Sequence, residues 1–491
     1  EEYVDFGLVK QWRAHCEQNH GLQCSAATLQ LATSLSWLID TQRQCLVPAP
    51  AGAAYIALSY VWGQTELLRT TSKTLAAHQI DGSIGGLKKE IPRTIRDAIG
   101  LVPLLGERYL WVDSLCIVQD DAESLGSHIS QMAAIFENAV LVIVAGDGAD
   151  AQQGLRGIPN VSEPRVLWPV LQLTDTVGIA RRQTRRINET AWGSRGWTVQ
   201  EAIFARRKLY FVGGSIRWSC RSTMYYEDVD SPLDMDHGWP ILELGQHTRD
   251  VVLSLSSLNL AFPDLREYFN LIDVYSCRKL TYDEDVFRAM ASTLAVLRQP
   301  FPSGFVHGLP VSFLETSLLW RANVPSGLRR RKASDPALQH QIPPSWTWAG
   351  WNGYLFLFFL TSEHYIKYPH SQSANHYFPP YQAIPYLEWH TRTSKTADPV
   401  PIPRQNEWYD FKTQYMGKET GLPPGWRFYC PVRYENRPVG YYYTHDTVPD
   451  IKFWHPVPLS NTTTSNSWPA AARDELAREH VHGHYLCAKT H

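Results

Sequence analysis

The chain has 491 residues, 44% hydrophobic and 19% charged, a globular balance that excludes wholesale disorder. With 46 Lys+Arg against 48 Asp+Glu the formal net charge is −2, so the bulk positive field of a general nucleic-acid binder is missing. At about 100–200 residues per domain this length implies two or three domains, and the 18 Trp supply ample surface for their cores.

Residues 1–50 read as a helical lead-in, set off by the Pro/Ala/Gly segment 47–54. Within it Cys16, His20 and Cys24 form C-x3-H-x3-C, with His15 as the nearest fourth ligand for zinc. That spacing suits one face of a helix better than the paired short spacings of a zinc site. The expectation is therefore buried thiols packing a helix, with no metal and no cofactor. The eight cysteines are otherwise scattered, as in a reducing compartment.

From residue 51 the pattern alternates strand and helix. Tyr55–Tyr60 is a strand ending in the turn Trp62-Gly63. Pro92 opens a helix whose apolar stripe is Ile95, Ala98, Ile99 and Val102, and Gly106 closes it. Arg108–Val112 is a second strand, with Asp113 at its carboxyl end. Ile129, Met132, Ala133 and Phe136 mark another helix, and Ala139–Ala145 is the unbroken apolar run of a strand buried on both faces. Trp197–Ala205 reads as helix and Lys208–Val212 as strand. Such alternation predicts an open, mainly parallel α/β sheet over residues 51–215, its ligand site beyond the carboxyl ends of the strands.

Residues 216–335 carry mostly helical patterns, clearest in Val251–Leu260 and Asp285–Leu297. Residues 336–491 are rich in aromatics and Pro and read as β-rich or irregular. The basic clusters Arg181–Arg186 and Arg329–Lys332 read as solvated loops, and His480, His482 and His484 as a solvated tail. The triplet Asp283-Glu284-Asp285 reads as a helix N-terminus. No run approaches the ~18 apolar residues of a membrane span, and the acidic first residues are no signal peptide, so the expected location is the cytoplasm.

Several motifs of rare residues occur in a fixed order: Tyr55-Ile-Ala-Leu-Ser-Tyr-Val-Trp-Gly63, Ile91-Pro-Arg-Thr-Ile-Arg-Asp-Ala-Ile99, Arg108-Tyr-Leu-Trp-Val-Asp-Ser-Leu-Cys-Ile-Val-Gln-Asp-Asp121, Phe136-Glu-Asn-Ala139, Ala145-Gly-Asp-Gly-Ala-Asp150 and Arg195-Gly-Trp-Thr-Val-Gln-Glu201. This order resembles the heterokaryon-incompatibility (HET) domain of filamentous fungi over roughly residues 55–205. The resemblance implies non-self recognition and programmed cell death after hyphal fusion. It also implies a core similar to TIR domains, a flavodoxin-like sheet flanked by helices, here followed by a large mixed α+β extension. Several TIR domains are NAD glycohydrolases. Their first strand ends in Ser-Tyr, as Ser59-Tyr60 does here, and their catalytic Glu lies four residues after a Trp, as Glu201 follows Trp197.

On that reading Glu201 is the catalytic carboxylate, stabilising an oxocarbenium-like ribosyl centre as nicotinamide leaves. Trp197, on the same helix face, offers a stacking surface. Backbone N–H groups near Trp62-Gly63 cradle a pyrophosphate, and Asp113 holds a ribose hydroxyl. With Ser59 and Tyr60 these are the candidate substrate-binding residues, and NAD is the substrate. The competing reading makes Trp197 a core anchor, Glu201 a partner of Arg195 or Arg206, and Asp113 a loop cap. Cys116 with His128 invites a nucleophile–base pair, but a buried structural thiol is favoured. Two other functions compete: a non-catalytic module that self-assembles or binds a protein partner, and an enzyme of fungal secondary metabolism acting on another small molecule.

Overall fold

The computed structural model describes residues 2–25, 35–63, 67–87, 89–166, 170–172, 174, 178–180, 186–227, 260–323, 327–356, 364–367, 384–434, 437–459 and 485–490. The predicted helix at 251–260 and the histidines at 480–484 lie almost wholly or wholly outside these. The chain divides into two compact units, Glu1–Ser257 and Leu258–His491.

The first unit is built on one eight-stranded sheet. Its strands are β1 (Trp37–Asp40), β2 (Cys45–Pro48), β3 (Tyr55–Ser59), β4 (Tyr109–Trp111), β5 (Leu141–Ala145), β8 (Arg207–Val212), β9 (Ser215–Cys220) and β10 (Met224–Tyr226), and a separate hairpin holds β6 (Val170–Gln172) and β7 (Gly178–Ala180). The spatial order is β10-β9-β8-β5-β3-β4-β1-β2. β8, β5, β3 and β4 pair in parallel, while β9/β10 and β1/β2 extend the two sides antiparallel. Every residue of β3, β5 and β8 is buried; β5 and the body of β3 accordingly read as continuous apolar runs, whereas β8 opens with the buried Arg207 and Lys208.

The helices are α1 (Phe6–Asn19), α2 (Gly21–Ser25), the one-turn α3 (Leu75–His78) and α4 (Ser83–Gly86), α5 (Arg93–Leu104), α6 (Asp113–Cys116), α7 (Ala122–Asn138) and α8 (Thr198–Phe204). Pro92 stands at the N-cap of α5, and Ile95, Ala98, Ile99, Leu101 and Val102 bury its apolar face. From β3 the chain runs through α5 to β4 on one side, then through α7 back past β3 to β5. The strand order therefore reverses between β3 and β5, the crevice where doubly wound sheets bind ligands.

One part of the lead-in differs from expectation. Residues 37–48 form the β1/β2 hairpin rather than helix, and β1 pairs with β4. The buried Asp40 carboxylate caps its turn through the Gln42 and Arg43 N–H groups and pairs with Arg108 at 2.6 Å.

The second unit is a mixture of helices and short antiparallel strands. Its helices include α9 (Leu265–Ser276), capped by Asp264, α10 (Ala291–Leu297) and α11 (Glu407–Tyr415). Two three-stranded sheets lie within residues 387–490. The aromatics fill its interior: Phe313 stacks on Trp408 at 6.0 Å, and Tyr275 and Phe287 meet the buried Trp348 edge-on. The helix expected over 285–297 is interrupted, with two 3-10 turns before α10. The basic cluster at 329–332 is solvated only in part: Arg329 and Lys332 are exposed, and Arg329–Arg330 is a short strand. Arg331 is 1% exposed, and with Arg329 it pairs with Asp283 of the acidic triplet. Among the described residues no helix is long and apolar enough to cross a membrane.

Candidate functional site

The side chains of Ser59 and Glu201 meet at the carboxyl end of β3, beside the strand-order reversal. Ser59 is the last residue of β3, opposite Val144 of β5, and is 1% exposed. Glu201 projects from the first turn of α8 and is half-buried. The Ser59 hydroxyl donates to the Glu201 carboxylate, and the Trp192 indole N–H donates to the Ser59 oxygen at 2.6 Å. A serine hydroxyl has one proton. With the indole filling an acceptor position, that proton is directed onto Glu201 and orients the carboxylate.

Trp192 was not anticipated; the sequence pointed to Trp197. The structure puts Trp192, 1% exposed, in the loop before α8, its ring edge-on to Tyr210 of β8 at 5.9 Å and its carbonyl accepting from the Thr198 hydroxyl. Trp197 is the half-buried residue that opens α8. An i, i+4 rule weighs residues on one helix, whereas Trp192 reaches the site from a loop. The available signal was Gly193-Ser-Arg-Gly196, a polar and glycine cluster marking a turn between Trp192 and the helix.

A second cluster lies at the end of the neighbouring strand β4. Asp113 accepts from the Trp62 indole at 2.8 Å and from the Ser114 N–H at 2.7 Å. Burial pushes its carboxyl above the usual carboxylate range, and the Trp62 and Ser114 hydrogen bonds only partly counter it. Both oxygens hold protein donors, so the capping role is present in the geometry; a carboxylate has lone pairs left for a further donor. Trp62 is gripped from two sides, because the Arg69 guanidinium lies 5.1 Å over its ring. The Tyr60 phenol is buried and donates to Ser114 at 3.1 Å, and its carbonyl accepts from Arg195 at 3.1 Å.

Gly63 has φ +71°, and a Cβ there would lie 2.3 Å from Cβ of Asp150. The Asp150 main chain and Cβ therefore press directly against this turn. Arg206, the other proposed partner of Glu201, sends its guanidinium to the carbonyls of Ser25, Asn138 and Ala139. Cys116 is fully buried, accepts from the Val112 N–H at 3.3 Å, and burial pushes its thiol up to about 12. It is a structural thiol, as favoured from the sequence.

A cavity of about 460 Å³ lies beside α5, lined by Arg93, Arg96, Asp97, Gln153, Arg156 and Glu163 among others, and it takes in neither Glu201 nor Asp113. Asp97 accepts from the Leu155 N–H at 2.8 Å, and burial raises its carboxyl to about 6. The unfolded value is about 3.9, so ionising Asp97 opposes folding and stability falls as pH rises from about 4 to 6. Asp97→Asn keeps the acceptor for Leu155. It is expected to be more stable than the parent by about 1–2 kcal/mol at pH 8, with the advantage gone by about pH 4, as read from urea unfolding across that range.

Residues 55–201 match the family described as Heterokaryon incompatibility protein (HET). The match begins at the first residue of β3 and ends on Glu201, so it encloses both clusters. No curated protein and no solved structure matches the chain.

Proposed function

Taking a HET domain at residues 55–201 as the premise, we propose that this chain acts in heterokaryon incompatibility as a cell-death effector that cleaves NAD at the N-glycosidic bond, with Glu201 as the catalytic carboxylate. One observation carries the proposal: the Glu201 carboxylate is oriented by Ser59 at the carboxyl edge of the sheet, where the strand order reverses. The order of the parallel strands and the Ser59-Tyr60 pair at the end of the first of them support a TIR-like core.

The chemistry asked of Glu201 is modest. As the bond from ribose C1′ to nicotinamide breaks, positive charge grows on the ring oxygen and C1′. A carboxylate held close by stabilises that charge, and water completes the hydrolysis to ADP-ribose and nicotinamide. The Trp192–Ser59–Glu201 chain fixes the carboxylate in advance, so little reorganisation is needed. Trp197 offers an aromatic surface one helical turn away. Asp113, tied to Trp62, lies at the end of the next strand and keeps lone pairs for a ribose hydroxyl.

A second reading has its own observation. Ser59 is 1% exposed and has a donor and an acceptor already, so the cluster also suits a purely structural latch in a domain that signals by contact. Incubating the full chain with NAD, alone and fused to an oligomerising partner, separates the two. Nicotinamide release that follows enzyme concentration is the expected result. NAD left intact in both forms would discard the hydrolase and leave the contact module.

A further inference from the structure

Three cysteines and a histidine converge at the junction of the lead-in and the sheet, away from the Glu201 cluster. The ligand atoms of Cys16, His20, Cys24 and Cys220 all lie within 4.8 Å of one another. Cys16 and Cys24 are fully buried, Cys220 is 1% exposed, and all are free thiols. We propose that these four residues form a structural zinc site that fastens the lead-in to the far end of the HET-bearing sheet.

A break in the helix makes the site. On a continuous helix Cys16 and Cys24 would stand about 12 Å apart along the axis, too far to share one ion. The helix is not continuous. α1 stops at Asn19, His20 caps it through an N–H bond to the Cys16 carbonyl, and Gly21, the first residue of α2, takes φ +49°. Nothing crowds a Cβ at Gly21, so it is the backbone angle that calls for glycine. The turn swings Cys24 back toward Cys16 and His20. Cys220, the last residue of β9, closes the set from nearly two hundred residues away in sequence, its Sγ 3.3 Å from Nδ1 of His20.

The donor set selects the metal. Thiolates with one imidazole and four protein ligands make the closed tetrahedral arrangement of structural zinc, leaving no position for a substrate. A Zn–S distance of about 2.3 Å corresponds to ligand–ligand edges of about 3.8 Å, so a spread of 4.8 Å needs a contraction of about 1 Å. Three thiolates around Zn²⁺ leave one net negative charge. Arg207, 4% exposed, donates its Nε–H to the Cys16 sulfur at 3.3 Å, and the Ser222 hydroxyl lies 3.5 Å from that of Cys24. A buried guanidinium against a thiol is the neighbour such an anionic centre calls for. His15 is otherwise engaged: it meets the Asn19 amide at 3.1 Å and packs edge-on to Tyr225.

Elemental analysis of the purified full chain is the test. About one zinc per chain is expected, released in step with blocking of the thiols by a mercurial reagent. Cobalt substitution should give the thiolate-to-metal absorption of a tetrahedral sulfur-rich site. Cys220→Ser should lower the zinc content at least about tenfold, while His15→Ala should retain it. Because Cys220→Ser could also unfold the protein, the measurements on the unmodified chain decide. Purified protein that neither contains zinc nor takes up cobalt overturns the site. So does a thiol count under denaturing conditions that is two short of the eight cysteines, which would mean a disulfide instead.

Discussion

Glu201→Gln should lower nicotinamide release by about a hundred- to a thousandfold while leaving stability within about 1 kcal/mol of the parent. The glutamine is isosteric and can still accept from Ser59, so packing at the end of β3 survives and only the negative charge is lost. Ser59→Ala is the informative companion. It leaves the carboxylate in place but removes its orienting hydroxyl and deprives the buried Trp192 N–H of its acceptor. A smaller fall in rate, about tenfold, should accompany a loss of about 1–3 kcal/mol in stability. Rates of nicotinamide release at saturating NAD, beside urea unfolding curves, read both effects. Equal turnover in the parent and Glu201→Gln would reduce the carboxylate to a packing partner of Ser59.

The largest expected loss of stability follows Glu137→Ala. Glu137, within Phe136-Glu-Asn-Ala139 at the end of α7, is 0% exposed and pairs with Arg221 at 3.1 Å; Arg221 is 3% exposed and lies just after β9. Removing the carboxylate takes a buried counter-charge away from the Arg221 guanidinium, at a cost of about 3–5 kcal/mol. Replacing both partners together with apolar residues of similar volume should recover most of it, because the desolvation of two charges offsets much of their attraction. Urea unfolding of the single and double variants checks this. Additive losses in the double variant would mean the two side chains contribute separately rather than as a pair. Arg221 adjoins Cys220, so this ion pair and the proposed zinc ligand hold the same end of β9.

The parallel core was legible in the sequence for a specific reason. β3 and β5 are buried along their whole length and only Ser59 breaks their apolar runs, and Pro92 punctuates the start of α5 without ambiguity. The β1/β2 hairpin was not legible, because two four-residue strands inside a stretch of helical pattern give no sustained period of two. Ser59 and Glu201 were named from motif spacing, and the direct bond between them needed coordinates: 142 residues separate them. The convergence of Cys16, His20, Cys24 and Cys220 was hidden for the opposite reason. Its local half, Cys16-His20-Cys24, was visible and was read as one straight stripe, although Gly21 directly after His20 is the usual sign of a helix ending there. Cys220 carried no local signal at all. Likewise Arg331 and Asp283 looked like separate surface charges, since nothing in the intervening sequence says that they meet.

The two outer pairs of the eight-stranded sheet have a consequence for polymerisation. With β1/β2 on one flank and β9/β10 on the other, none of the four parallel strands presents unsatisfied backbone to a neighbouring molecule. Among the described residues, lateral growth of this sheet by strand addition is left to β2 and β10, four and three residues long, which give a new chain few bonds to hold. A filament built from this unit would therefore have to be glued by side-chain surfaces, and charge reversals on the helices would dissolve it more readily than any change to the sheet.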